Sequence, residues 1–226
     1  MRDLVNAIVF GWYPYLVLAV FLLGTWLRFD RTQDIWSGTS SRLLDARLFI
    51  WGAVLSIAGI SVIFVGHLVG LLTPITVFEA IGISHGVKQW MAIGIGGIAG
   101  LFGFIGISLL VYRTVFDARI RTAASLGEIA MLFMVFAQLT LGLATIAISL
   151  KYLDGCAMVK FMTWAQGILT FKPGMAALIA DVNPIFKLHL FLGMTILLVF
   201  PFTRLVNIWS MPIRYLGRGY QVARGT

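Results

Sequence analysis

LFIWGAVLSIAGISVIFVGHLVGLLT, residues 48–73, runs from Arg47 to Pro74 without a single Asp, Glu, Lys or Arg. As a helix rising about 1.5 Å per residue, it is longer than the ~30 Å hydrocarbon layer of a bilayer. A helix apolar on all sides has no face to give to water, so it reads as a membrane span. Three further charge-free stretches, 4–27, 89–112 and 129–150, are also long enough. A fifth, 188–203, has only 16 residues between Lys187 and Arg204. Both long side chains can snorkel to opposite interfaces and lengthen this span to about 185–210. The whole chain agrees: of 226 residues, 60% are hydrophobic and 12% charged, and the mean hydropathy is +0.96. That excludes a soluble domain and a disordered one. The single Cys156 excludes a disulfide framework and any multi-cysteine zinc or iron–sulfur site. The expected fold class is all-α, a five-helix integral membrane bundle forming one domain over residues 1–226.

The net charge of +8 would suggest nucleic acid in a soluble protein. In a membrane chain the basic residues first report topology, and no nucleic-acid partner is expected. Five spans put the termini on opposite sides. The connections 28–47 and 113–128 and the tail from Arg204 carry eleven basic residues. The other side carries six: Arg2, Lys88, Lys151, Lys160, Lys172 and Lys187. This bias predicts the N-terminus outside and the C-terminus cytoplasmic. The first span is too long for a signal peptide, and Met1-Arg2-Asp3 has no net side-chain charge. In the tail, Tyr215, Leu216, Tyr220 and Val222 alternate with Arg214, Arg218 and Arg224. This pattern suits a docking surface for a partner subunit, against the plainer reading of a frayed basic tail.

The outer connection, 151–184, places Val159, Met162, Ala165 and Leu169 opposite Lys160, Thr163, Gln166 and Thr170. That alternation predicts an amphipathic helix over Met158–Phe171, lying on the outer leaflet. Trp12, Tyr13, Tyr15, Trp90 and Trp164 are expected in an outer aromatic belt, with Trp26, Trp51, Tyr112 and Trp209 in an inner one. Pro14 is expected to kink the first span.

Two ionisable side chains lie well inside the spans, His67 and His189. His67 stands 7 residues before Pro74 and His189 stands 5 after Pro184. They are therefore about 10 Å and 8 Å from the outer ends of their helices. These helices run in opposite directions, so the imidazoles reach the same depth. Taken singly, either histidine serves equally well as a polar residue hydrogen-bonded between helices. As a pair at one depth they suit axial ligation of a b-type haem, each neutral ring giving one lone pair to the iron. The glycines Gly94, Gly96, Gly97, Gly100, Gly103 and Gly106 of the third span permit close helix approach or leave room for a porphyrin face. Lys88, just before that span, is either an interfacial anchor or a donor to a quinone oxygen beside the haem. His85 is read as a solvated loop residue, with proton relay as the alternative, and Cys156 as structural.

Several strings carry a resemblance over residues 10 to 224: Tyr13-Pro14-Tyr15, Trp26-Leu27-Arg28, Val65-Gly66-His67, Gly70-Leu71-Leu72-Thr73-Pro74, Val87-Lys88-Gln89, Trp164-Ala165-Gln166, Leu188-His189-Leu190, Leu192-Gly193-Met194-Thr195 and Ile208-Trp209-Ser210. In this order and spacing they resemble the gamma subunit of respiratory nitrate reductase. The resemblance implies a multi-pass b-type cytochrome of the bacterial cytoplasmic membrane. It implies an anchor for an iron–sulfur beta subunit and a molybdenum alpha subunit, with quinol oxidised near the outer face and electrons flowing inward. Such a chain transfers electrons and does not itself reduce nitrate. The implied quinol site comprises Gly66, His67 and Lys88, and the implied outer haem is held by His67 and His189. The family's second haem would need histidines where Ile57 and Asn207 stand, so one haem b is expected. The alternative is a haem-poor or structural membrane scaffold of the same fold, with impaired electron transfer.

Overall fold

The computed structural model describes residues 1–31 and 47–203. Every regular element among them is helical. The first span comprises α1 (Arg2–Ala7), a π-turn (Ile8–Trp12) and α2 (Tyr13–Arg31). The second is α3 (Arg47–Leu72), followed by the short α4 (Ile75–Ala80). Next come α5 (His85–Phe116), α6 (Ala118–Ala123) and α7 (Leu126–Ser149). The 151–184 connection holds α8 (Cys156–Leu169) and α9 (Met175–Leu178), and α10 (Pro184–Val199) closes with a 3₁₀ turn, Phe200–Phe202. Five segments are long and apolar enough to cross a membrane, as expected: Arg2–Arg28, Arg47–Leu72, His85–Phe116, Leu126–Ser149 and Pro184–Phe202. The third is longer than the expected 89–112. Ser84 starts it one turn earlier by accepting a hydrogen bond from the Val87 amide at 3.3 Å. A reciprocal capping box between Ser125 and Glu128 starts α7, while Asn183 caps α10 with Pro184 in its first turn. The fifth span's expected continuation to 210 and the tail lie outside the described residues, as does most of the 28–47 connection.

The spans pack in the order α3, α5, α7, α10, α2. The α3–α5 seam is the tightest because both helices present small residues at helical spacing. Gly52, Ser56 and Gly59 meet Ala99, Gly103 and Gly106. A β-carbon on Gly59 would lie 2.5 Å from the Ala99 carbonyl oxygen, so only glycine permits this backbone contact. Gly100 and Gly103 face Leu143 and Leu139 of α7. Most of the glycine row therefore serves helix approach, while Gly94 and Gly96 border open space.

A π-helical turn, Ile8–Trp12, leads into Pro14. The proline has no N–H for the Phe10 carbonyl, and the Trp164 indole donates to that oxygen at 2.9 Å. Trp164 is thus 6% exposed and part of the core with Phe10, Val17, Ile168, Ala176, Ile179 and Met194, rather than of the outer belt. Trp12 and Trp90, and Trp26, Trp51 and Tyr112, are exposed as expected of belts; Trp209 lies outside the described residues. The amphipathic helix exists as α8, but its buried face is Met162, Trp164, Gly167 and Ile168, and Leu169 is exposed. It packs into the bundle against α3 and α9. Asn6 adds a bond to the Ala176 carbonyl at 2.6 Å. The chain's beginning and the 151–184 connection thus share one end of the bundle.

Exposed Cys156 reports which side that end faces. The side-chain hydrogen bond with Asp154, and its negative charge, raise the thiol above its ordinary range. Its labelling is therefore slow at neutral pH and rises with pH, since the thiolate reacts. If the charge bias sets orientation, an impermeant maleimide labels Cys156 in right-side-out vesicles and spares it in inverted ones, and Asp154→Asn speeds labelling several-fold. Labelling only in inverted vesicles would reverse the orientation.

Candidate functional site

The ends of α3 and α4 and the start of α5 build one wall of the site. At the end of the bundle that carries Pro14, a second proline, Pro74, cannot donate to the Gly70 carbonyl. The Lys88 ammonium donates to that oxygen at 2.7 Å. It also touches the Met162 sulfur at 2.8 Å and lies 3.9 Å from the centre of the Phe78 ring. Gln166 of α8 takes two more carbonyls of this frayed terminus, Leu71 at 3.0 Å and Thr73 at 3.2 Å. Lys88 is therefore not in a loop: it sits in the first turn of α5 and is 6% exposed. Gly70 is one turn beyond His67, so the ammonium is held roughly 4.5 Å further out along the α3 axis. His85 begins α5 instead of lying in a loop, and its Nε2 is 3.1 Å from Glu79 Oε1.

The opposite wall is α10, and α7 closes the back. α3 makes no extended contact with α10. Across that gap the His67 and His189 rings face each other, with centres 6.2 Å apart and planes inclined by 43°. His67 Nδ1 is 2.8 Å from the Ile63 carbonyl. A carbonyl only accepts, so Nδ1 carries the proton and Nε2 keeps a free lone pair. His189 Nε2 lies 3.4 Å from the Gln138 amide nitrogen, while His189 Nδ1 is buried with no partner. A β-carbon at Gly142 would come within 3.2 Å of the His189 ring, so glycine makes room for it. Gly66, beside His67, has nothing within 4 Å of where its β-carbon would stand.

These residues fit a b haem. Two imidazoles bound to one metal from opposite sides, at about 2 Å each, have ring centres roughly 6 to 6.5 Å apart. The pair meets that separation, and one imidazole already has its lone pair free. Among the described residues no group of three or more His, Cys, Asp or Glu could hold a bare ion. A porphyrin brings four nitrogens of its own and needs only the two axial ones.

At the expected second position, Ile57 is 67% exposed and offers no donor atom. The neighbouring Ser56 hydroxyl is turned into the α3–α5 seam, donating to the Gly52 carbonyl at 2.6 Å. Asn207 lies outside the described residues. The sequence reading brought out His67, Lys88 and His189, which the fold gathers at one end. It missed Gln138, Gly142, Phe78 and the role of Met162. An uncharged amide four residues from a glycine inside an apolar span was the available signal for the first two.

The family described as nitrate reductase gamma subunit matches residues 6–226. The chain is 42% identical to the respiratory nitrate reductase 2 gamma chain of Escherichia coli, over 99% of both chains. It is 43% identical to the respiratory nitrate reductase 1 gamma chain of the same organism, over 97% of both. To the nitrate reductase gamma chain of Bacillus subtilis it is 34% identical, over 96% of this chain and 97% of that one. With matches of this extent and five apolar spans, the chain belongs to the nitrate reductase gamma subunit family and is a multi-pass membrane protein of the bacterial inner membrane.

Proposed function

We propose that this chain is the quinol-oxidising b-type cytochrome subunit of a respiratory nitrate reductase and holds one haem b between His67 and His189. What supports this most is the facing imidazole pair, 6.2 Å between ring centres across helices that otherwise stand apart. A bound b haem supplies reversible one-electron iron chemistry. His67 is oriented for ligation by its bond to Ile63. Lys88, fixed one turn further out, donates to an oxygen of quinol or quinone, and the open space at Gly66 admits the ring beside His67. Protons released there leave from the bundle end that carries α4, α8 and α9, the outer end by the charge bias. An iron–sulfur beta subunit and a molybdenum alpha subunit receive the electrons on the cytoplasmic side, docked through the Arg-rich connections and the tail.

A second reading has one specific support, the apolar and exposed Ile57. With a single haem at the outer end, electrons must cross much of a ~30 Å hydrocarbon layer. Transfer is then impaired, and the chain serves chiefly as a structural membrane scaffold.

A pyridine haemochrome assay on the purified full chain should give one haem, and His67→Ala or His189→Ala should give none. Two haems in the unaltered chain would contradict the inner-site reading, and none would favour the scaffold. Lys88→Ala should weaken binding of a quinol analogue about tenfold or more, the loss expected for a hydrogen bond to a charged group, and leave the haem spectrum in place. Unchanged affinity would remove Lys88 from the site.

A further inference from the structure

Behind His189, α7 and α10 are locked in a crossed register. Gln138 of α7 lies over Gly193 of α10, where a β-carbon would be 3.0 Å from the amide nitrogen. One turn along each helix, His189 of α10 lies over Gly142 of α7. Each polar side chain fills the hollow left by the other helix's glycine, so neither has room to turn away. The side-chain oxygen of Gln138 and Nδ1 of His189 are both buried without a partner, although the two residues already meet through nitrogen atoms at 3.4 Å.

Two arrangements of the amide are open, and ligation by His189 decides between them, because they differ in what the ring has left over. If the Gln138 nitrogen donates to His189 Nε2, the ring's proton must sit on Nδ1 and finds no acceptor. The Gln138 oxygen finds no donor either. Two buried groups are then unsatisfied, an expensive state in the interior of a membrane bundle. The oxygen and nitrogen of an amide have nearly the same shape, and exchanging them by a half-turn costs no space. The oxygen then accepts the Nε2–H, the amide nitrogen takes the oxygen's unpartnered place, and the group left over on His189 is the Nδ1 lone pair, which a metal can take. A ligating histidine needs such a partner for its second nitrogen. His67 has its own, the backbone carbonyl of Ile63.

We propose that Gln138 is the positioning residue of the His189 ligand: its amide oxygen accepts the ring N–H, fixes the tautomer and orientation, and makes the ring a better donor to the haem iron. This rests on the haem site proposed above. The two ligands are then unequal, because the partner of His67 belongs to the backbone and that of His189 to a replaceable side chain.

The test uses full chain in native membranes, carrying Gln138→Leu, which keeps the bulk without the acceptor, or Gln138→Glu, which makes the acceptor anionic. The readouts are the haem midpoint potential, the low-spin ferric resonance and the rate of haem loss to apomyoglobin. Gln138→Leu should raise the potential, shift the resonance and speed haem loss about tenfold or more. Gln138→Glu should lower the potential, because a more anionic ring favours the ferric state. A general folding defect would not move the two potentials in opposite directions. Potentials and resonance unchanged in both variants, with His67→Ala still abolishing the haem, would overturn the role of Gln138 alone. Haem retained after both His67→Ala and His189→Ala would overturn the haem site and this inference with it.

Discussion

Hydrocarbon offers no hydrogen bonds, so each backbone carbonyl freed inside the bundle must find a donor on the protein itself. Two prolines free such carbonyls at the end of the bundle that carries α4, α8 and α9, and their partners organise the site. Pro14 releases the Phe10 carbonyl to Trp164, which draws α8 into the core. Pro74 releases the Gly70 carbonyl to Lys88, while Gln166 of α8 takes those of Leu71 and Thr73. The cation is thereby fixed one turn from His67, with Met162 and Phe78 around it. The 151–184 connection is therefore part of the site's construction.

Close packing supplies the second condition. Where α3 meets α5, glycines bring the backbones into contact. Where α7 meets α10, each glycine faces a polar side chain of the other helix. α3 and α10 are each held by a different neighbour and face each other through their histidines. A gap between two firmly held helices suits a flat, rigid group, because closing it would require breaking both glycine seams.

The spans were legible because charge-free runs of this length have one physical solution in a bilayer. The matched depths of His67 and His189 followed from helical rise and two prolines. Other features depend on neighbours and were not legible. The face of α8 was misassigned because Trp164 is recruited by a carbonyl far away in sequence. Lys88 lies inside α5 because Ser84 caps that helix early and Gly70 offers an acceptor. Gln138 carried little local signal, since its importance comes from Gly193 and His189 on another helix.

With Ile57 exposed and donor-free and Ser56 committed to the α3–α5 seam, α3 offers one imidazole among its described residues, that of His67, where the implied family pattern has two. The most direct measurement is a density map of the full chain purified with its bound cofactor and any partner subunits. The account predicts one porphyrin-shaped density, between His67 and His189, with no second one beside Ile57. A porphyrin between the helices bearing Ile57 and Asn207, or its absence between His67 and His189, would contradict it.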